Sequence, residues 1–172
     1  KGIAFGIFTA INRDLLSDLV LIPKQMKSKD QILTYIIQGR KKYRSHLKNG
    51  LNRDLGMDVE FIQAGDFNQD RFPDLILLGA SGNQNAARLL LNNKKGYYYL
   101  SRYSLPPVKN GVERVEAVDI DHDGDKDLLF FGKTLREVDG RLAPNNVQLM
   151  INQGKGRFED LTRILLPHLP KG

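Results

Sequence analysis

The chain has 172 residues, 41% of them hydrophobic and 27% charged, an ordinary balance for a globular protein with one core or a few small repeats. No apolar run approaches the roughly 20 residues that cross a bilayer as a helix, so no transmembrane segment is expected. Cysteine is absent, which excludes disulfides and thiolate metal sites without fixing a compartment. A chain that starts at Lys1, with no signal peptide, is expected to be a processed product or a piece of something longer.

In chain order, the first element is IAFGIF at 3–8, where apolar and polar residues roughly alternate as in a half-buried strand. TAINRDLLSDLVLI at 9–22 is a polar loop running into an apolar strand, and LTYIIQG at 33–39 is a third strand ending in a turn. KKYRSHL at 41–47 follows as a fourth. QILTYIIQGRKKY at 31–43 also has some helical spacing, but Gly39 interrupts it, and a strand is expected. Here Arg40, Lys41, Lys42, Arg44 and Lys48 form a basic stretch, the main concentration behind a net charge of +6. It fits a solvated strand edge, where lysine discourages edge-to-edge pairing. Neither aromatic platforms nor a recognisable module accompany it, so no nucleic-acid partner is expected.

The same order then returns twice. DVEFIQA at 58–64, GDFNQDRFPDLILL at 65–78, RLLLNNKKG at 88–96 and YYYLSRY at 97–103 make the second unit. VERVEAV at 112–118, VDIDHDGDKDLLFF at 118–131, QLMINQGKG at 148–156 and RFEDLTRIL at 157–165 make the third. Asn12, Asn68 and Asp121 mark equivalent positions. Four short strands per period predict an all-β, β-propeller-type fold of three four-stranded blades, about 1–57, 58–111 and 112–172. A closed propeller usually needs 4–8 blades, so the three are expected to be part of a larger propeller, the alternatives being completion by another chain or an open stack.

The loops carry the chemistry. Asp119, Asp121, Asp123, Asp125 and Asp127 occupy every second position of nine residues, and such a density of carboxylates repels itself unless a cation neutralises it. Hard oxygen donors without cysteine favour Ca2+. Gly124 allows the sharp turn that converges the side chains of motif positions 1, 3, 5 and 9, with the carbonyl of position 7 completing the set. In the second unit the same positions are Asp66, Asn68, Asp70 and Asp74, with the Phe72 carbonyl at position 7. The first unit keeps Asn12, Asp14 and Asp18 but has Ala10 where the first ligand belongs, so weak binding or a vestigial loop is expected there. An EF-hand is excluded, because its twelfth position requires a bidentate Glu, and here that position is Phe130 or Leu77.

These residues resemble the FG-GAP/VCBS repeats known from integrin α-subunit propellers and many bacterial secreted proteins. The resemblance rests on GDFNQDRFPDLILLG at 65–79, VDIDHDGDKDLLFFG at 118–132, LMINQGKGRFEDLT at 149–162 and the Gly-Ala-Ser run at 79–81. It departs at Ala10 and in the long basic segment at 23–50. It implies calcium in the loop between the first two strands of a blade. It also implies a role in adhesion, scaffolding or recognition of a protein partner or neighbouring subunit, in an extracellular, cell-surface or periplasmic setting.

No catalytic residues are expected. His46, His122 and His168 are read as surface residues, and the acidic residues recur in register with the repeat rather than forming one unique pair. A carbohydrate-binding module, with glycan held by Tyr97, Tyr98 and Tyr99, is the alternative, as is an accessory domain of a secreted hydrolase. Alternation along a strand separates Tyr98 from its two neighbours and favours packing for this run.

Overall fold

Runs rich in Ile, Leu, Val, Phe and Tyr, punctuated by Asn, Asp and Gly, become strands throughout the computed structural model. It describes residues 3–12, 16–23, 31–37, 43–50, 55–95, 97–109, 111–132, 135–138, 141–144 and 147–166. The first antiparallel sheet has the order β1 (Ile3–Thr9), β2 (Asp18–Pro23), β3 (Gln31–Ile37), β4 (Tyr43–Gly50). The second is β5 (Asp58–Gly65), β6 (Asp74–Ser81), β7 (Gln84–Asn92), β8 (Tyr98–Leu100). The third runs β9 (Arg114–Val118), β10 (Asp127–Phe131), β13 (Gln148–Asn152), β14 (Phe158–Asp160). Between β10 and β13 a separate hairpin, β11 (Leu135–Val138) and β12 (Arg141–Pro144), is inserted.

Residues 31–37 are extended, not helical. Arg44 and Lys48 lie on the edge strand β4, while Arg40, Lys41, Lys42, Asp14 and His168 fall outside the described residues. One expectation needs correction. The fourth strand of the last unit stops at Asp160, and Thr162–Leu165 form one helical turn, α1. Asp160 Oδ1 accepts hydrogen bonds from the Thr162 N–H and hydroxyl, and Thr162 Oγ1 accepts from Leu149 N at 2.8 Å. This side-chain turn competes with the ladder and ends it.

The second strand of the middle unit, β6, is apolar at successive positions because both its faces are covered, while β2 and β10 each bury one face and leave the other half-buried. In β6, Leu75 and Leu77 enter a core with Ile11, Val20 and Ile22 of the first sheet. Ile76 and Leu78 enter another core with Val115, Leu128, Phe130 and Met150 of the third. Counting from the aspartate that opens the strand, even positions face the preceding sheet and odd positions the following one. All four β6 side chains are at most 1% exposed, each worth about 2 kcal/mol relative to exposure.

A polar latch runs along these seams. Asp74 Oδ2 accepts from Phe67 N at 3.1 Å and Oδ1 from Asn92 N at 2.8 Å. Asp127 repeats this with Ile120 N at 2.7 Å and Asn152 N at 2.9 Å, and Asp18 Oδ2 takes Ile11 N at 2.9 Å. The asparagines then reach across. Asn92 Nδ2 donates to Ile11 O of the preceding loop at 3.1 Å and to Pro73 O at 3.2 Å. Asn152 Nδ2 donates to Phe67 O at 2.9 Å and to Lys126 O at 3.1 Å. The pairings Leu19 with Tyr35, Leu75 with Leu90 and Leu128 with Met150 set a common register, in which Ile37 occupies the asparagine position of the first sheet.

Replacing Asn92 by alanine leaves the buried Ile11 carbonyl and the partly buried Pro73 carbonyl without this donor, and chemical denaturation should show a loss of about 1–3 kcal/mol. Gly79 tests the close approach of β5 to β6. A Cβ there would lie 1.8 Å from Asp58 O, a backbone atom that cannot swing aside. Gly79→Ala is therefore expected to destabilise by about 1–3 kcal/mol or more in the same measurement.

Candidate metal centre

The third loop hangs between β9 and β10, closed by the pairing of Val118 with Asp127. Left-handed backbone at His122 (φ 61°) and Gly124 (φ 94°) folds it back on itself. Within it, Asp121 Oδ1 accepts from Asp123 N at 3.3 Å and Asp123 Oδ1 from Asp125 N at 3.0 Å. Oxygens of Asp119, Asp121 and Asp127 all lie within 4.8 Å of one another, and this is the one acidic or histidine group of metal-binding geometry among the described residues. At that separation two carboxylates repel by about 3 kcal/mol at an effective dielectric constant of about 20.

Two further observations point to a cation. Asp119 Oδ1 and Asp125 Oδ1 are buried without a hydrogen-bond partner, and Asp125 as a whole is only 1% exposed. Burial, reinforced by Asp123, Asp127 and Asp121, pushes the Asp125 carboxyl up to about 6 from 3.8. An all-oxygen, carboxylate-rich donor set of this kind fits calcium. His122 is exposed, with no part in the acidic group.

The second loop uses the same motif differently. Asp66 Oδ1 accepts from Asp70 N at 3.1 Å and Oδ2 from Arg71 N at 2.6 Å. Asn68 Oδ1 takes Asp70 N at 3.0 Å, and Asp70 Oδ1 takes Phe72 N at 2.9 Å. Asp70 Oδ2 faces the Lys94 ammonium at 3.6 Å, which also stands 5.7 Å from the centre of the Phe72 ring. With both Asp74 oxygens in the latch, every carboxylate oxygen of Asp66, Asp70 and Asp74 has a partner. Arg71, at φ 69°, occupies the left-handed position that Gly124 fills in the third loop. Burial, against the pull of the Asn92 and Phe67 N–H groups, raises the Asp74 carboxyl to about 7, with Asp70 and Asp66 adding to the rise. In the first loop, Asp18 is fully buried and Asn12 half-buried.

Residues 66–130, from the first ligand position of the second loop into β10, match the family model of the FG-GAP-like repeat. The chain carries an FG-GAP-like repeat. No curated protein matches it significantly. The strands flanking the FG-GAP loops put Leu77 and Phe130 inside β6 and β10, where an EF-hand would need its glutamate and a helix. Among the described residues no helix is long and apolar enough to cross a membrane. Of the tyrosine run, Tyr98 is buried and Tyr99 is 49% exposed.

The latch asparagines and Lys94 were not among the residues singled out from the sequence. Their signal is there, since Asn92 and Asn152 end the third strand at equivalent places in two units. An asparagine beside a Gly-containing turn passes for turn chemistry alone.

The raised carboxyls give a pH test. A raised folded-state value means the native form holds the proton more tightly than the unfolded chain. The contribution is complete below the unfolded value of 3.8 and is lost as pH rises through about 6 for Asp125 and about 7 for Asp74. In chelator, stability should therefore rise as pH falls from about 7.5 to about 5. Asp125→Asn should flatten part of that slope. In excess calcium the slope should reverse, because the ion competes with those protons.

Proposed function

We propose that the chain is a non-catalytic, calcium-binding propeller segment that serves protein–protein interaction, adhesion or scaffolding. The observation that carries the calcium reading is the convergence of Asp119, Asp121 and Asp127 beside the buried, unpartnered Asp119 and Asp125 oxygens. Bound there, calcium would neutralise the loop and hold β9 to β10 at their shared turn. The third loop is the primary site. In the second, a cation held by Asp66, Asn68, Asp70, Asp74 and the Phe72 carbonyl would share side-chain oxygens with backbone N–H donors and compete with the Lys94 ammonium for Asp70, so its affinity is lower.

The non-catalytic reading follows from how the acids are used. They recur in register with the repeat, and in the second loop they are turned onto backbone N–H groups. An extracellular, cell-surface or periplasmic setting supplies calcium in the range of about 10⁻⁴–10⁻³ M to which extracellular modules are tuned. The partner engaged is a protein or neighbouring subunit, in keeping with the FG-GAP-like repeat.

Calcium titration followed by thermal unfolding tests this reading. The midpoint should rise with calcium and fall with chelator, as for any ligand that binds only the native state. Asp121→Ala should abolish most of the shift, and Asn68→Ala should remove only a minor part. A midpoint indifferent to millimolar calcium would refute the proposal.

A further inference from the structure

Just beyond β8 the chain turns and carries Arg102 and Tyr103 to the surface. The Ser101 N–H donates to Leu89 O at 2.9 Å, and Ser101 Oγ, on a buried residue, accepts from Tyr103 N at 3.1 Å. The third sheet brings Arg157 to the same place. Its β13–β14 hairpin closes through Gln153 N to Arg157 O at 2.6 Å and Arg157 N to Gly154 O at 3.2 Å. Gly156, left-handed at φ 74°, lets that turn lie on the second sheet, since a Cβ there would stand 2.8 Å from Leu89 Cδ2.

Two guanidinium groups thus meet at one ring. Arg102 Cζ stands 4.7 Å from the centre of the Tyr103 ring, and Arg157 Cζ stands 5.6 Å from it. Arg102 Nη2 also donates to Tyr103 Oη at 2.7 Å. Both arginines are exposed, and Tyr103 is half-buried. Among the described residues no carboxylate forms an ion pair with either guanidinium. The exposed Lys155, two residues before Arg157, adds a further positive charge. The ring attracts each cation but neutralises neither, so the cluster keeps a local positive field that favours an anionic ligand.

We propose that Arg102, Tyr103 and Arg157 form a docking point for an acidic segment of a partner protein, each guanidinium taking one carboxylate, an inference that rests on the chain serving protein–protein interaction and gives that partner its chemistry. Guanidinium forks match carboxylates bidentately. Contact with Tyr103 holds both forks before a partner arrives, so less side-chain freedom is lost on docking. Arginine and tyrosine are also among the residue types that carry most of the binding energy at protein interfaces. A glycan is the poorer occupant, because its sugar rings would need an open aromatic face and the guanidiniums crowd this one. The two arginines come from consecutive sheets, so the docking point exists only where the second and third sheets are stacked.

The test adds a capped hexaglutamate peptide to the full chain in millimolar calcium and low salt, with backbone amide shifts followed by NMR. Amides of residues 101–103 and 155–158 should shift saturably, and the affinity should fall as salt rises. Arg102→Gln combined with Arg157→Gln should weaken binding by about tenfold or more and leave the unfolding midpoint unchanged, because both side chains are exposed. Arg44→Gln combined with Lys48→Gln removes the same charge from β4 and should change the affinity by less than about twofold. Equal weakening by the two pairs would mean diffuse attraction to the net charge, and overturns the proposal. So does a heparin-derived hexasaccharide that shifts these amides where the peptide shifts none, because a sulfated glycan would then be the occupant. A peptide that shifts nothing while calcium still raises the midpoint overturns this docking point alone. A midpoint indifferent to calcium strikes instead at the calcium-binding reading, whatever the peptide does.

Discussion

Asp74 and Asp127 are fully buried, and each is held by two backbone N–H groups from different parts of the chain. One donor belongs to the loop just before the aspartate, the other to the end of the third strand. Neither donor is satisfied by a strand ladder, and both carboxylates are shut off from water. Burying them separately would cost several kcal/mol, whereas together they satisfy one another. The loop, the strand it leads into and the strand beyond are therefore fixed by a single group. The asparagine whose N–H binds that group then turns its amide onto the preceding sheet, so loop shape and sheet-to-sheet register are set together.

The same group links the candidate metal centre to the seam. Asp127 is both a member of the acidic cluster and the acceptor for Asn152, whose amide holds Phe67 O. A cation held by Asp119, Asp121 and Asp127 would thus act through Asn152 on the boundary with the second sheet. The two acidic loops show two solutions to one electrostatic problem. In the second, backbone N–H groups and the Lys94 ammonium take up the carboxylate charge. In the third, two buried oxygens stay without a hydrogen-bond partner.

Much of this was legible in the sequence, for a physical reason. A strand covered on both faces has to be continuously apolar, and a run of alternating aspartates in front of it has to fold into a turn that gathers carboxylates. The repeat made DLVLI, DLILL and DLLFF recognisable as the same strand, and the structure makes each the second strand of its sheet, with DLILL alone covered on both faces. What stayed hidden depends on contacts distant in sequence. The Asn92 and Asn152 amides find their acceptors 81 and 85 residues away. The β11–β12 hairpin has no counterpart among the described residues of the other units, so repetition could not announce it. The turn at Asp160 and Thr162 depends on Thr162 reaching Leu149, which no local pattern encodes.

The two-sided burial of β6 also limits how such a chain can vary. Adding or deleting one residue in β6 would exchange Leu75 and Leu77 with Ile76 and Leu78 between two cores and displace Asp74 from its donors. Length can change freely only where neither seam passes. The third unit shows such a place, for its extra hairpin, β11 and β12, lies in the connection between β10 and β13 and, among the described residues, forms a separate two-stranded sheet. New surface can be grafted onto that connection while the stacking of the sheets is inherited unchanged.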